Sequence, residues 1–312
     1  MTIKKELRHI YDYLRFYYFP VILTKQFKKK IDKPLAGKYV VATTKGLYLI
    51  DNDSIYLLIS GNGYGLTKND TQLYYYQNFG FKGRVITLEL DSSGNILPKA
   101  KVLNVDLPKG CHQMDLINNR LLITDTYNNR IIDCDLSSNN QHEYYPLGKL
   151  TNGRNSENYG HINSLYHSKP DNGFYLFCHN ETLKTGRKSS ILFVDETFTP
   201  QHQITTEAVN GHNICQYDGS LWYCDSENKT LVRGKEVVHH TEHYSRGLSI
   251  SDEFILIGGS EYKPRKERSK SLGSIDVIDR NFNPYHRFDF PGPVQEIRKL
   301  DGTDYGLSES SN

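Results

Sequence analysis

One pattern recurs along most of this chain: a short apolar run, a polar turn, a second run, another turn and a third run. It is clearest in Gly110–Leu136, GCHQMDLINNRLLITDTYNNRIIDCDL, where Met114–Ile117, Leu121–Thr124 and Arg130–Leu136 are separated by Asn118-Asn119 and Thr126–Asn129. Runs this short between Asn- and Asp-rich turns predict consecutive antiparallel strands. The unit returns at Gly63–Asp91, Tyr159–Asp195, Asn210–Val232, Tyr244–Asp279 and Pro293–Ser308. Aligning the first strands places Tyr64, His112, His161, His212, Arg246 and a position near Val294 or Gln295 in register, at spacings of 34 to 51 residues. A period in this range, with about four strands per repeat, predicts an all-β, six-bladed β-propeller.

The chain ends predict how the ring closes. Residues 38–60 offer three strands, KYVVATT, GLYLID and SIYLLIS, without a first strand of their own, and VQEIRKL near the C-terminus supplies one. N- and C-terminal strands then complete one blade together. Tyr39–Thr44 and Asp304–Ser308 compete for the second-strand position, which leaves the blade count open by one. The propeller domain is drawn at residues 34–312.

Residues 1–33 lack the strand-turn rhythm. Ile10, Tyr13, Leu14 and Tyr17 are spaced as one face of a helix that could run to Phe19, before Pro20. Lys4, Lys5, Arg8 and Arg15 flank it on one side and Lys25, Lys28, Lys29 and Lys30 on the other. This basic, amphipathic helical extension could meet an anionic membrane or a protein partner, or pack against the ring with its lysines in water.

Composition narrows the function classes. The 23 Tyr and 13 Phe suit strands. A net charge of +2 gives no general polyanion-binding surface and argues against a nucleic-acid partner. The charge of Met1–Arg8 is not followed by an uninterrupted apolar run, because Asp12 and Arg15 intervene; no segment is long enough to span a bilayer. Five cysteines without a CxxC pair fit reduced thiols and a cytoplasmic protein. Two loops stand out: the polar Thr151–Asn158 and the basic Tyr262–Leu272, a solvated loop or a lid for an anionic group.

In a propeller the first strand of each blade lines the central channel, so residues at its start converge on the axis. His112, His161 and His212 open three successive first strands. Three converging neutral imidazoles suit a divalent metal (Zn, Fe or Cu) and leave a coordination position open; a metal-free polar pocket and unrelated structural histidines are the other two readings. Arg246 and Tyr64 share the register: Arg246 would hold an anion, and Tyr64 would serve as acid or base, unless they only pair and pack. Asn163, Asn213, Gln113 and Gln295 are placed to hydrogen-bond a substrate. The second strands end in Asp125, His179-Asn180, Asp225 and Glu261, which antiparallel pairing brings back toward the histidines. Asp225 and Glu261 are the candidate bases and His179 a further substrate contact, whereas Asp125 heads a turn-forming Asp-Thr-x-Asn.

Asp125–Asp135, DTYNNRIIDCD, resembles the NHL repeat, which carries an Asp-Thr-x-Asn-x-Arg-Ile segment between its second and third strands. The match covers one blade closely; elsewhere the third-strand Ile/Val…Asp of Ile86–Asp91, Ile191–Asp195 and Ile275–Asp279 persists. The resemblance implies a six-bladed ring of the NHL, TolB and gluconolactonase type, a scaffold that hosts many functions. Within that group, the lyase acting on peptidyl-α-hydroxyglycine is similar in holding zinc through three blade histidines with Arg and Tyr nearby. By that analogy His112, His161 and His212 are ligands, and Arg246 and Tyr64 engage substrate. Here the histidines are 49 and 51 residues apart, in adjacent blades, whereas the lyase takes them from alternate blades. The sequence thus points first to a metal-dependent lyase or hydrolase acting on a small anionic or peptide-like molecule. The alternatives are a non-catalytic propeller binding a protein, peptide or glycan, and an NHL-like ring binding RNA through Lys263–Lys270.

Overall fold

A computed structural model describes residues 21–308 apart from 81, 104, 105, 139, 262, 264–266 and 268–270. They form six antiparallel sheets, each led by a strand on the central axis. Blade 2 runs Asn62–Lys68, Gln72–Phe79, Lys82–Leu90 and Ile96–Val102 from axis to rim. The innermost strands of blades 3 to 6 are Cys111–Ile117, Ile162–Ser168, His212–Tyr217 and Tyr244–Ile250, each followed outward by three more.

Blade 1 closes the ring. Its axial strand is Val294–Lys299, paired antiparallel with Lys38–Thr43, and Gly46–Asp51 and Ser54–Ser60 follow outward. Lys38–Thr43 is therefore the second strand, and the count is six. Residues 304–308 form no strand. They cross the lower mouth of the channel instead: the Tyr305 amide donates to Ile250 O, the Ser308 amide to Asp115 Oδ2, and the His167 amide to Ser308 Oγ. Asp304 Oδ2 takes the Lys299 amide and the Ser249 hydroxyl.

The basic segment before the ring is divided by the structure. Gln26–Lys30 pairs with Ser54–Ser60 as a fifth, outermost strand of blade 1, and Ile31 and Leu35 are buried against the blade, so the ring begins inside the 1–33 segment. The helix expected over residues 10–19 and most of the basic Tyr262–Leu272 loop lie outside the described residues. Among the described residues, no helix is long and apolar enough to cross a membrane.

The strands read as apolar runs rather than strict alternations because each sheet is sandwiched between two neighbours. Gly173–Cys178 and Ser190–Asp195 are buried along nearly their whole length, while the outermost Pro200–Thr205 is almost wholly exposed. Between blades the cores are aromatic and β-branched: Tyr39, Val41, Ile275 and Phe290 seal blade 1 to blade 6, and Phe177, Trp222 and Tyr223 lie in the core joining blades 4 and 5. Ending the chain at Gly292 would strip blade 1 of its axial strand and expose both cores it touches. Such a chain is expected to lose the cooperative thermal transition of the full protein in calorimetry, and retention of that transition would refute ring closure by the C-terminal strand.

Candidate functional site

At the upper mouth every axial strand is irregular. Its pairing with the second strand slips between Gly63 and Leu66, Cys111 and Met114, Ile162 and Ser164, His212 and Ile214, and Ser245 and Leu248; in blade 1 the slip lies between Ala42 and Thr43, opposite Gln295. A β-bulge leaves a residue unpaired and re-aims its side chain. Last in each slip are Gly65, Gln113, Asn163, Asn213, Gly247 and Gln295, and in blades 2, 3 and 6 Tyr64, His112 and Arg246 precede them unpaired.

Most of these residues join one blade to the next. Gln113 Oε1 accepts the Leu165 amide of blade 4 at 3.0 Å. Asn163 Nδ2 donates to Gly211 O before blade 5 at 2.8 Å. Asn213 Oδ1 accepts the Gly247 amide of blade 6 at 2.7 Å. Where the bulge carries glycine, the next blade closes in on the bare backbone: a Cβ on Gly65 would lie 2.5 Å from His112 O, and one on Gly247 would lie 3.1 Å from the Val294 side chain and 3.4 Å from Glu296 Cα. Gln113, Asn163 and Asn213 thus lie where the sequence placed them, beside the histidines, but they use much of their hydrogen-bonding capacity in holding blades together.

Above them stands a wall of rings. Successive centroid separations are 5.3 Å from Tyr64 to His112, 5.7 Å to His161, 4.3 Å to His179 in a stack, 5.2 Å to His212 and 5.8 Å to Tyr244. The Arg246 guanidinium lies 5.7 Å from the Tyr64 ring centroid. Tyr64, His112, Gln113, Asn163, His212, Asn213, Arg246, Gln295 and Glu296 line one cavity at the base of this wall, with a free interior of about 10 Å³. That is room for about one water, so the floor is a slot beneath an open cup.

Backbone and hydroxyl partners settle two tautomers. His112 Nδ1 lies 3.0 Å from Gly110 O and 2.8 Å from Thr126 Oγ1, whose own proton goes to Ile162 O. Both neighbours can only accept, so His112 carries its proton on Nδ1 and has a lone pair on Nε2. His179 is the reverse: its Nδ1 accepts the Glu181 amide at 3.0 Å, which leaves an N–H on Nε2. His212 Nδ1 is 2.9 Å from Ser226 Oγ.

Burial, reinforced by the Arg246 charge, holds His112 and His212 well below the usual imidazole range. His161 is lowered chiefly by burial, and the Glu181 carboxylate 3.4 Å from its Nδ1 works in the opposite sense. His112, His161 and His212 therefore stand as neutral imidazoles beside one guanidinium. Glu296 is the reverse case: burial pushes its carboxyl up to about 7, although Arg298 Nη1 lies 2.8 Å from Oε1 and opposes the shift. Both Glu296 oxygens accept from Asn213 Nδ2 at 3.1 Å.

Three sequence expectations are corrected. The histidines do not share one position: His212 pairs with Cys224, whereas in blade 4 Ile162 pairs with Cys178 and His161 precedes the strand at φ +53°. Asp225 holds an Asp-x-x-Asn turn, with Oδ1 accepting the Val209 amide and Oδ2 the Asn228 side chain, and it does not line the cavity. Asp125 takes both Asn128 and Arg130 on Oδ2, so the NHL-like segment is a turn clamp, while its Oδ1 is buried without a hydrogen-bond partner. Glu261 pairs with Lys263 and takes the Leu272 amide, and it does not line the cavity. The residues that sequence reasoning missed are Glu296 and Glu181. Glu296 sits one residue past the bulge in VQEIRKL, where a carboxylate on an axial strand was the available signal.

The metal reading has a geometric test. Among the described residues no group of three or more His, Cys, Asp or Glu side chains is arranged to hold an ion. His112, His161 and His212 meet edge to face or across His179, and each Nδ1 is turned to a protein partner, which leaves Nε2 as the ring nitrogen facing away from it.

No family model and no curated protein matches the sequence. Solved structures do match in shape. A chain of the nidogen/laminin complex aligns at TM-score 0.59 with 10% identity, over 85% of this chain and 98% of that one. Hydrazine synthase from Kuenenia stuttgartiensis aligns at 0.51 with 9% identity, over 87% and 91%. The calcium-binding protein regucalcin from Agrobacterium tumefaciens aligns at 0.50 with 16% identity, over 84% and 80%. Such likeness establishes the six-bladed fold alone. An enzyme and binding proteins share it, so function has to come from the site.

Two outcomes follow from this geometry. Asn163→Ala leaves the buried Gly211 carbonyl without its donor and is expected to cost about 1–3 kcal/mol, read as a lower urea midpoint at unchanged slope. The neutral histidines stabilise the fold above the unfolded imidazole value of 6.5, and that contribution is lost as pH falls below it, because the unfolded chain takes up protons the folded one refuses. Urea unfolding should therefore weaken from neutral pH toward about pH 5, with a shallower slope in His212→Asn.

Proposed function

We propose that the upper channel mouth is a small-anion site and that the protein is a hydrolase- or lyase-type enzyme acting there. One observation carries the reading: the Arg246 guanidinium lines this cavity beside His112 and His212, whose imidazoles burial keeps neutral, so the positive charge there comes from one group with a planar fork. Arg246 binds the anionic group, for which its planar fork is suited. Tyr64, His112, His161, His179, His212 and Tyr244 wall the cup and exclude water from the ligand's sides. The His179 Nε2–H and the His112 Nε2 lone pair offer one donor and one acceptor. Glu296, at about 7, is the group poised to take a proton near neutral pH. The imidazoles serve as hydrogen-bonding groups here, and no step runs through a metal.

The test combines binding and turnover. Titration with small carboxylates and phosphates is expected to show binding that Arg246→Met reduces by at least tenfold. Turnover of a panel of small anionic esters and amides should rise as pH passes about 7, and Glu296→Gln should abolish it while leaving binding in place. Arg246-dependent binding with no turnover of any panel member would leave a binding propeller in place of an enzyme.

A further inference from the structure

Six junctions join neighbouring blades at the bulges. Three are bridged by amide side chains, Gln113, Asn163 and Asn213, and two by the close approach of Gly65 and Gly247. The sixth, from blade 1 to blade 2, carries an amide that bridges nothing. Gln295 is 7% exposed, its Nε2 donates only a long 3.4 Å contact to Pro293 O, and its Oε1 has no hydrogen-bond partner. Turning the amide over would set its oxygen against the Pro293 carbonyl, so the acceptor stays on the unpartnered side. A buried acceptor without a donor is costly, and proteins rarely leave one so.

Gln295 lines the same cavity as Arg246, and the free interior there holds about one water-sized group. We infer that Gln295 is a specificity-determining residue that receives a single hydroxyl or amino group of the ligand, so that the anion held by Arg246 is a hydroxy- or amino-substituted one rather than a plain one. This rests on the reading of the mouth as an anion site. The floor has room for one such group and no larger one. The lone pair on His112 Nε2 offers a second acceptor to a donor-rich ligand, whereas a plain carboxylate would leave Gln295 Oε1 as unsatisfied as it is now.

Glycolate and acetate differ by a single hydroxyl and serve as probes, with binding followed by calorimetry or by the imidazole proton resonances. In the wild-type protein glycolate is expected to bind about tenfold more tightly than acetate. Gln295→Met, close in volume, should remove that preference without weakening acetate, and its thermal transition confirms folding. Arg246→Met should lose both ligands. Equal wild-type affinities, with Arg246→Met still losing both, would show that water fills the floor, overturning this inference and leaving the anion site standing. Failure of both anions to bind, or binding indifferent to Arg246→Met, would overturn the anion site and the inference with it. The wild-type comparison decides the question even if the Gln295 variant does not fold.

Discussion

The slipped pairing at the head of each axial strand is the constraint on which the rest of the structure depends. A regular strand would point alternate side chains into the channel and leave adjacent blades touching only through apolar faces. The bulge adds a residue at the one radius where six backbones converge, and that residue either reaches across the gap or vanishes to let backbones touch. Gln113, Asn163 and Asn213 take the first course, Gly65 and Gly247 the second. The same kink throws His112, His212, Tyr64 and Arg246 onto the rim of a common cup. Ring assembly and assembly of the mouth are thus one geometric event, which is why the blade junctions and the lining of the cavity are built from adjacent residues.

The electrostatics follow from that geometry. Stacking imidazoles edge to face around a narrow mouth removes them from water, and desolvation penalises their charged form. A nearby guanidinium adds repulsion. The burial that neutralises the histidines also raises the Glu296 carboxyl, so the mouth carries far less opposing charge at neutral pH than its residue types suggest. Arg298 below draws on Glu296, which lies in the lining of the same cavity.

Much of this was legible in the sequence, for identifiable reasons. The strand-turn rhythm depends on local propensity and turn chemistry, so closure by VQEIRKL could be read directly and the blade number to within one, until the pairing of Lys38–Thr43 fixed it. Convergence of Tyr64, His112, His212, Arg246 and Gln295 followed from topology. What could not be read was a one-residue slip: His161 lies just outside the strand that sequence alignment put it in, because bulge position depends on contacts with the next blade. Likewise Asp225 looked available because a turn-forming Asp and a catalytic Asp differ only in what their oxygens touch. Glu296 escaped because its significance comes from near-complete burial: strand spacing puts Arg298 on the same face, but not how far both are removed from water.

The segment that crosses the lower mouth has a further meaning. With Ser308 bound to Asp115 and to the His167 amide, and Asp304 tied to Ser249 and Lys299, the axial passage is stoppered at one end. A ligand of the proposed upper site would then have one way in and the same way out, past the rings that line the neck.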